Sequence, residues 1–73
     1  MVKWRVKRDI EGRINELEMN LSNNYKDLAH DALKVLQMTI EAYHDSGELK
    51  DKDYQKYKLL ADSYAMRMKN YHH

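Results

Sequence analysis

The chain has no cysteine, no proline and no phenylalanine, and only two of its 73 residues are glycine. Without cysteine there is no disulfide and no cysteine-ligated zinc site, and a reducing compartment, the cytoplasm, is the expected location. Without proline, and with glycine only at Gly12 and Gly47, little interrupts helical structure. Long apolar runs are also missing: none approaches the roughly 18 residues of a membrane span. The basic start MVKWRVKRDIEGR lacks the apolar core of a signal peptide, so no membrane partner is expected. A chain this short makes one domain, residues 1–73, and buries only about 60% of the surface its unfolded form exposes. With no covalent staple, packing or oligomerisation has to supply the stability.

What the chain does have is helical periodicity. The pattern predicts an all-α fold of three helices, about 6–21, 24–45 and 51–70. They would form an antiparallel helical hairpin or a three-helix bundle, with dimerisation as one way to complete it. In the first helix Val6, Ile10, Ile14, Leu17 and Leu21 share an arc of about 80°, the narrow seam of a coiled-coil-like helix. Ser22-Asn23-Asn24 breaks the pattern, and Asn24 with Asp27 three residues later predicts an N-cap for the second helix. The second helix has a much wider apolar face, covering about half the wheel from Tyr25 through Leu28, Ala32, Val35 and Leu36 to Tyr43. A face that wide can touch two neighbours, which makes this the central helix. Ser46-Gly47 ends it, with the glycine suited to a left-handed C′ position.

The third helix carries Tyr54, Tyr57, Ala61, Tyr64, Met68 and Tyr71 at alternating spacings of 3 and 4. A tyrosine in such a seam has to bury its ring while its hydroxyl finds a partner or water. Asp51 and Asp53 in the first turn, and Arg67 and Lys69 near the end, suit the helix dipole.

The stretch Ser46-Gly-Glu-Leu-Lys-Asp-Lys-Asp-Tyr-Gln-Lys-Tyr-Lys58 resembles a turn found in short bacterial helical hairpins, including SHOCT-type domains. There a glycine, a buried aliphatic and an acidic-aromatic pair join two helices. The resemblance covers under a third of the chain, and Lys50 stands where such turns have a Ser, Thr or Asp cap. It implies a hairpin and no activity. The wealth of Lys, Asn, Tyr, Ile and Met would suit an AT-rich coding sequence, such as that of a low-GC bacterium or its phage.

Catalytic chemistry finds little to work with. Asp27-x-x-His30 and Glu41-x-x-His44 have the carboxylate–histidine spacing of di-metal bundles. On the wheel, however, both pairs lie opposite the apolar face, so a solvated surface and no metal are expected. The hydroxyls of Ser22 and Ser46 are explained by helix ends. Ser63 and Thr39 have no partner motif, and nothing resembles a phosphate loop or a nucleophile elbow. No enzyme activity, no cofactor and no small-molecule substrate are expected. No functional weight falls on the terminal His72 and His73, which a purification tag would also leave.

Charge is unevenly spread. Residues 1–13 carry +3, residues 14–53 carry −5 and residues 54–73 carry +3, for a net of +1. In an up-down-up arrangement the basic N-terminus meets the acidic loop Asp45 to Asp53, which predicts mutual neutralisation. Lys3, Arg5, Lys7 and Arg8 also oppose the helix macrodipole. Residues 1–8 therefore read alternatively as an extended basic arm or short strand from Val2 to Lys7. In that reading Lys3, Trp4, Arg5, Lys7 and Arg8 would contact nucleic acid, with the tryptophan stacking on a base. The acidic middle of the chain argues against it.

A few large apolar residues fall off the seams: Trp4, Met19, Met38, Leu59 and Met66. Leu59 and Met66, one heptad apart, make a second stripe on the third helix. With Trp4, and with Tyr64 and Met68 of the tyrosine seam, they are the expected protein interface. Leu59→Glu or Met66→Glu is expected to keep helix content while lowering oligomer mass or abolishing a pull-down. The sequence thus predicts a helical protein–protein interaction module, pairing with itself or with another protein. A small nucleic-acid-binding accessory protein is the alternative.

Overall fold

In the computed structural model, residues 3–69 are described, and they form three α-helices with no strand among them: α1 (Trp4–Ser22), α2 (Lys26–Asp45) and α3 (Asp51–Lys69). The expected Asn70 and Tyr71 of the third helix, Val2 of the arm, and His72 and His73 lie outside the described residues. The run is up-down-up. Asp9 of α1 meets Tyr43 of α2, Glu41 of α2 meets Tyr54 of α3, and Glu18 of α1 meets Tyr64 of α3. Helix α2 packs closely on both α1 and α3, whereas α1 and α3 make no close backbone approach to each other. Side chains bridge the wider gap between α1 and α3, where Tyr64 and Arg67 of α3 face Glu18 of α1. The extents of 40 × 19 × 15 Å fit three helices of nearly equal length lying side by side.

The core follows the expected seams. Val6, Ile10 and Leu17 of α1, Leu36 and Ile40 of α2, and Tyr57, Ala61, Tyr64 and Met68 of α3 are all buried. Ile14, Leu21, Tyr43 and Tyr54 pack against them half-buried. One core residue lies outside any periodic segment. Leu49, in the α2–α3 turn, is 1% exposed and belongs to the same buried cluster.

Both interhelical turns end a helix through the same hydrogen-bond pair. After α1, the Tyr25 amide donates to the Asn20 carbonyl at 2.8 Å and the Asn24 amide to Leu21 at 3.1 Å. After α2, the Glu48 amide donates to Tyr43 and the Gly47 amide to His44, each at 3.1 Å. This is the Schellman pattern, which requires a left-handed residue in the C′ position. Gly47 fills it at φ +83° and Asn24 at φ +62°. Asn24 is therefore not the N-cap of α2; the pull of the preceding helix end decides its conformation, and Tyr25 takes the N-cap position without a side-chain bond. The turn that resembles those of SHOCT-type hairpins does join two antiparallel helices.

The N-terminal arm also needs correction. Residues 4–8 are the first turns of α1, with Lys3 as an extended N-cap that makes no side-chain cap bond. Two contacts explain why the helix survives a first turn without acid. Val6 and Ile10 are fully buried, anchoring those turns in the core. Glu48 in the α2–α3 turn hydrogen-bonds the Arg5 guanidinium and lies 4.0 Å from Lys3 Nζ. The neutralisation expected between the basic start and the acidic loop is carried by this one carboxylate.

Candidate interaction surface

Three tyrosine–carboxylate contacts, one for each pair of helices, decide which polar groups remain free at the surface. The Tyr43 hydroxyl donates to Asp9, joining α2 to α1. The Tyr54 hydroxyl donates to Glu41 at 2.8 and 3.0 Å, joining α3 to α2. The Tyr64 hydroxyl faces Glu18 across the α1–α3 gap, with Arg67 3.9 Å from the same carboxylate. In each case the ring packs inward and the hydroxyl reaches a carboxylate at the margin, which phenylalanine could not do.

The same bonds shift the ionisation of these groups. The Asp9 bond raises the Tyr43 hydroxyl, with burial adding to it. The Glu41 bond raises Tyr54 and in return lowers the Glu41 carboxyl. Burial raises Tyr57, and burial with the Glu18 bond pushes Tyr64 up to about 12. Lys58, 3.3 Å from Glu41, is raised by that contact.

Glu41 and His44 are therefore only partly solvated, where the wheel implies a fully solvated face. The His44 ring stacks on Tyr54 with centroids 3.7 Å apart and planes 8° from parallel, and its Nε2 lies 2.8 Å from Asp51. Helix α3 lies on that side of α2 and engages the pair. Among the described residues no three His, Asp or Glu side chains are grouped to hold a metal, and no helix is long and apolar enough to cross a membrane. The hydroxyls of Thr39, Ser46 and Ser63 donate to the Val35, Tyr43 and Leu60 carbonyls of their own helices or helix ends.

The residues expected to form an interface are not brought together. Tyr64 and Met68 are buried in the chain's own core, because the seam of α3 closes against α1 and α2 and not against a partner. Leu59 and Met66 are exposed as expected. Each sits two residues beyond a tyrosine directed at α1, hence about 200° around α3. They lie on the side of α3 away from α1 and cannot share a patch with Trp4. Between them stand Asp62 and Ser63, so the stripe is interrupted.

Trp4 is 72% exposed, with the Arg8 guanidinium 5.0 Å over its ring. The two line a shallow notch with Lys7, Glu11, Gly12 and Asn15. Of the five residues expected to contact nucleic acid, Arg5 and Lys3 are turned to Glu48, which leaves Trp4, Lys7 and Arg8 facing outward.

A different strip meets the description of an interaction surface better. The apolar face of α2 is wider than its two neighbours cover. Tyr25, Leu28 and Val35 are 54%, 54% and 42% exposed, and Ala32 lies between the last two at the floor of the strip. Leu28, Ala32 and Val35 are spaced 4 and 3 apart, a continuous seam of about two helical turns. With Glu16 and Asn20 of α1 and Asp31 of α2, they line an open groove along the α1–α2 junction. The breadth of this face is legible in the sequence, but which part of it stays uncovered depends on where α1 and α3 sit. Compared with family models, curated proteins and solved structures, the chain matches none.

Proposed function

We propose that this chain is a helical protein–protein interaction module without catalytic activity, and that it binds through the uncovered edge of α2. The observation that carries the proposal is the apolar seam Leu28–Ala32–Val35, in which Leu28 and Val35 stay exposed over a buried Ala32 along an open groove. Single exposed apolar residues are ordinary on any protein, but a contiguous strip at helix-packing spacing is a surface another helix can complete. The α3 stripe has only two apolar residues with polar side chains between, and ranks below it. The grooves at the surface are open, and every serine or threonine hydroxyl described with a partner donates to a nearby backbone carbonyl.

A photocrosslinking amino acid placed at position 35, with position 59 as the comparison, tests the proposal. Adducts from position 35 alone, to a second copy or to another protein, would support it. Adducts from position 59 alone, or from neither, would count against the α2 edge.

Trp4, Lys7 and Arg8 support a second reading, nucleic-acid contact at the start of α1, because they face outward together. It requires salt-dependent binding to a mixed DNA or RNA pool, lost on Trp4→Ala with Lys7→Ala.

A further inference from the structure

We infer that the groove along the α2 edge takes a cationic amphipathic helix of another protein rather than a second copy of this chain. The inference rests on the α2 edge being the interaction face, and it is the charge around that edge which names the occupant.

The groove has an apolar floor, Leu28, Ala32 and Val35, and a carboxylate on each side, Glu16 from α1 and Asp31 from α2. Asp27, one turn before Asp31, extends the α2 side. These three carboxylates differ from the others that close the bundle. Asp9 and Glu41 are each held by a tyrosine hydroxyl, Glu18 lies against Arg67 and Tyr64, Glu48 is held by Arg5, and Asp51 by His44. Glu16, Asp27 and Asp31 make no hydrogen bond or ion pair with another described residue. Negative charge left unpaired beside an apolar seam selects a partner with the inverse layout. That is a helix with apolar residues at i, i+4 and i+7 and lysine or arginine on both flanks.

The same charges disfavour self-pairing. Two copies joined through this face about a two-fold axis would present one patch to itself, carboxylates against carboxylates. The chain's exposed cations at the start of α1, Lys7 and Arg8, lie on another face, lining the notch with Trp4. They could reach the groove of a second copy only in a heterologous, head-to-tail contact.

The test uses the full chain and two synthetic helical peptides. One has a leucine seam flanked by lysines; the other is identical with every lysine changed to glutamate. The lysine peptide should bind, more weakly as salt rises. Glu16→Lys or Asp31→Lys should weaken binding about three- to tenfold each. Val35→Asp should abolish it and Leu59→Asp should leave it unchanged, with circular dichroism showing each variant still helical. Equal binding of both peptides would overturn the cationic partner while leaving the α2 edge in place. No binding of the lysine peptide, or self-association lost on Val35→Asp, would likewise overturn it. Binding unaffected by Val35→Asp would overturn both this inference and the reading it rests on.

Discussion

Replacing each of the two glycines by alanine should move stability in opposite directions. Gly12 sits inside α1 and Gly47 in the C′ position after α2. A Cβ added at either would meet no atom within 4 Å, so steric clash plays no part in either substitution. At position 12 alanine gains about 0.8–1 kcal/mol, the helix-interior difference between the two residues. At position 47 the backbone is left-handed, φ +83°. Holding an L-residue there costs about 1–2 kcal/mol, offset by about 0.4–1 kcal/mol because alanine also restricts the unfolded chain. The net is a loss of about 1 kcal/mol. In a domain of this length each 1 kcal/mol moves Tm by about 4–8 °C, so the variants should be about 8–16 °C apart, on either side of the parent. The assay is thermal unfolding followed by circular dichroism. Gly47→Asn should lose less than Gly47→Ala, because asparagine tolerates the left-handed region, as Asn24 does one turn earlier in the chain. A neutral or stabilising Gly47→Ala would refute the Schellman end assigned to α2. A destabilising Gly12→Ala would mean that position 12 faces something other than solvent.

Other outcomes follow from the polar seams. Raising the pH should unfold the protein steeply, because Tyr43, Tyr54, Tyr57 and Tyr64 all hold their protons in the fold above their ordinary value of 10.0. The unfolded chain releases those protons first, so stability is intact below pH 10 and falls as pH rises towards about 12, where Tyr64 titrates in the fold. With Tyr25 and Tyr71 both replaced by phenylalanine, tyrosinate absorbance and helical signal should therefore change together; tyrosines that ionise well before the helices melt would contradict the tyrosine–carboxylate contacts. Tyr64→Phe should cost about 1 kcal/mol, since it keeps the ring in place but leaves Glu18 with only the 3.9 Å contact to Arg67; denaturant unfolding measures it. Lys3→Ser should gain about 0.5–1 kcal/mol by supplying the N-cap oxygen that α1 lacks, because the Lys3–Glu48 contact it removes is 4.0 Å long and exposed. An unchanged or lower Tm for Lys3→Ser would show that Glu48 needs both cations.

The narrow seams were legible because their periodicity states directly which side is buried. Val6, Ile10, Leu17, Tyr57, Ala61, Tyr64 and Met68 are core residues in the fold, as their spacing implies. The helix starts were less legible. Asn24 has the chemistry of an N-cap and also that of a left-handed C′ residue, and only the bonds from Tyr25 and Asn24 back to α1 decide between them. Leu49 has no periodic neighbours, so no wheel shows it as buried; the turn resemblance alone pointed to an aliphatic there. For Glu41 and His44 the wheel measures angle from the apolar centre of α2 and takes no account of α3, which extends past that centre and turns a polar flank into a contact. The exposure of the α2 edge was hidden for the same reason. Leu28 and Val35 looked like core because they are apolar and in phase, and they are exposed because no third helix covers them.

The uncovered edge of α2 is proposed as the surface through which this chain acts. Amide chemical shifts of the full chain, recorded as the lysine-flanked helical peptide is added, test it most directly. Shifts are expected along the Leu28–Val35 edge of α2 and at Glu16–Asn20 of α1. Shifts centred on Trp4 and Arg8, or on Leu59 and Met66, would contradict it.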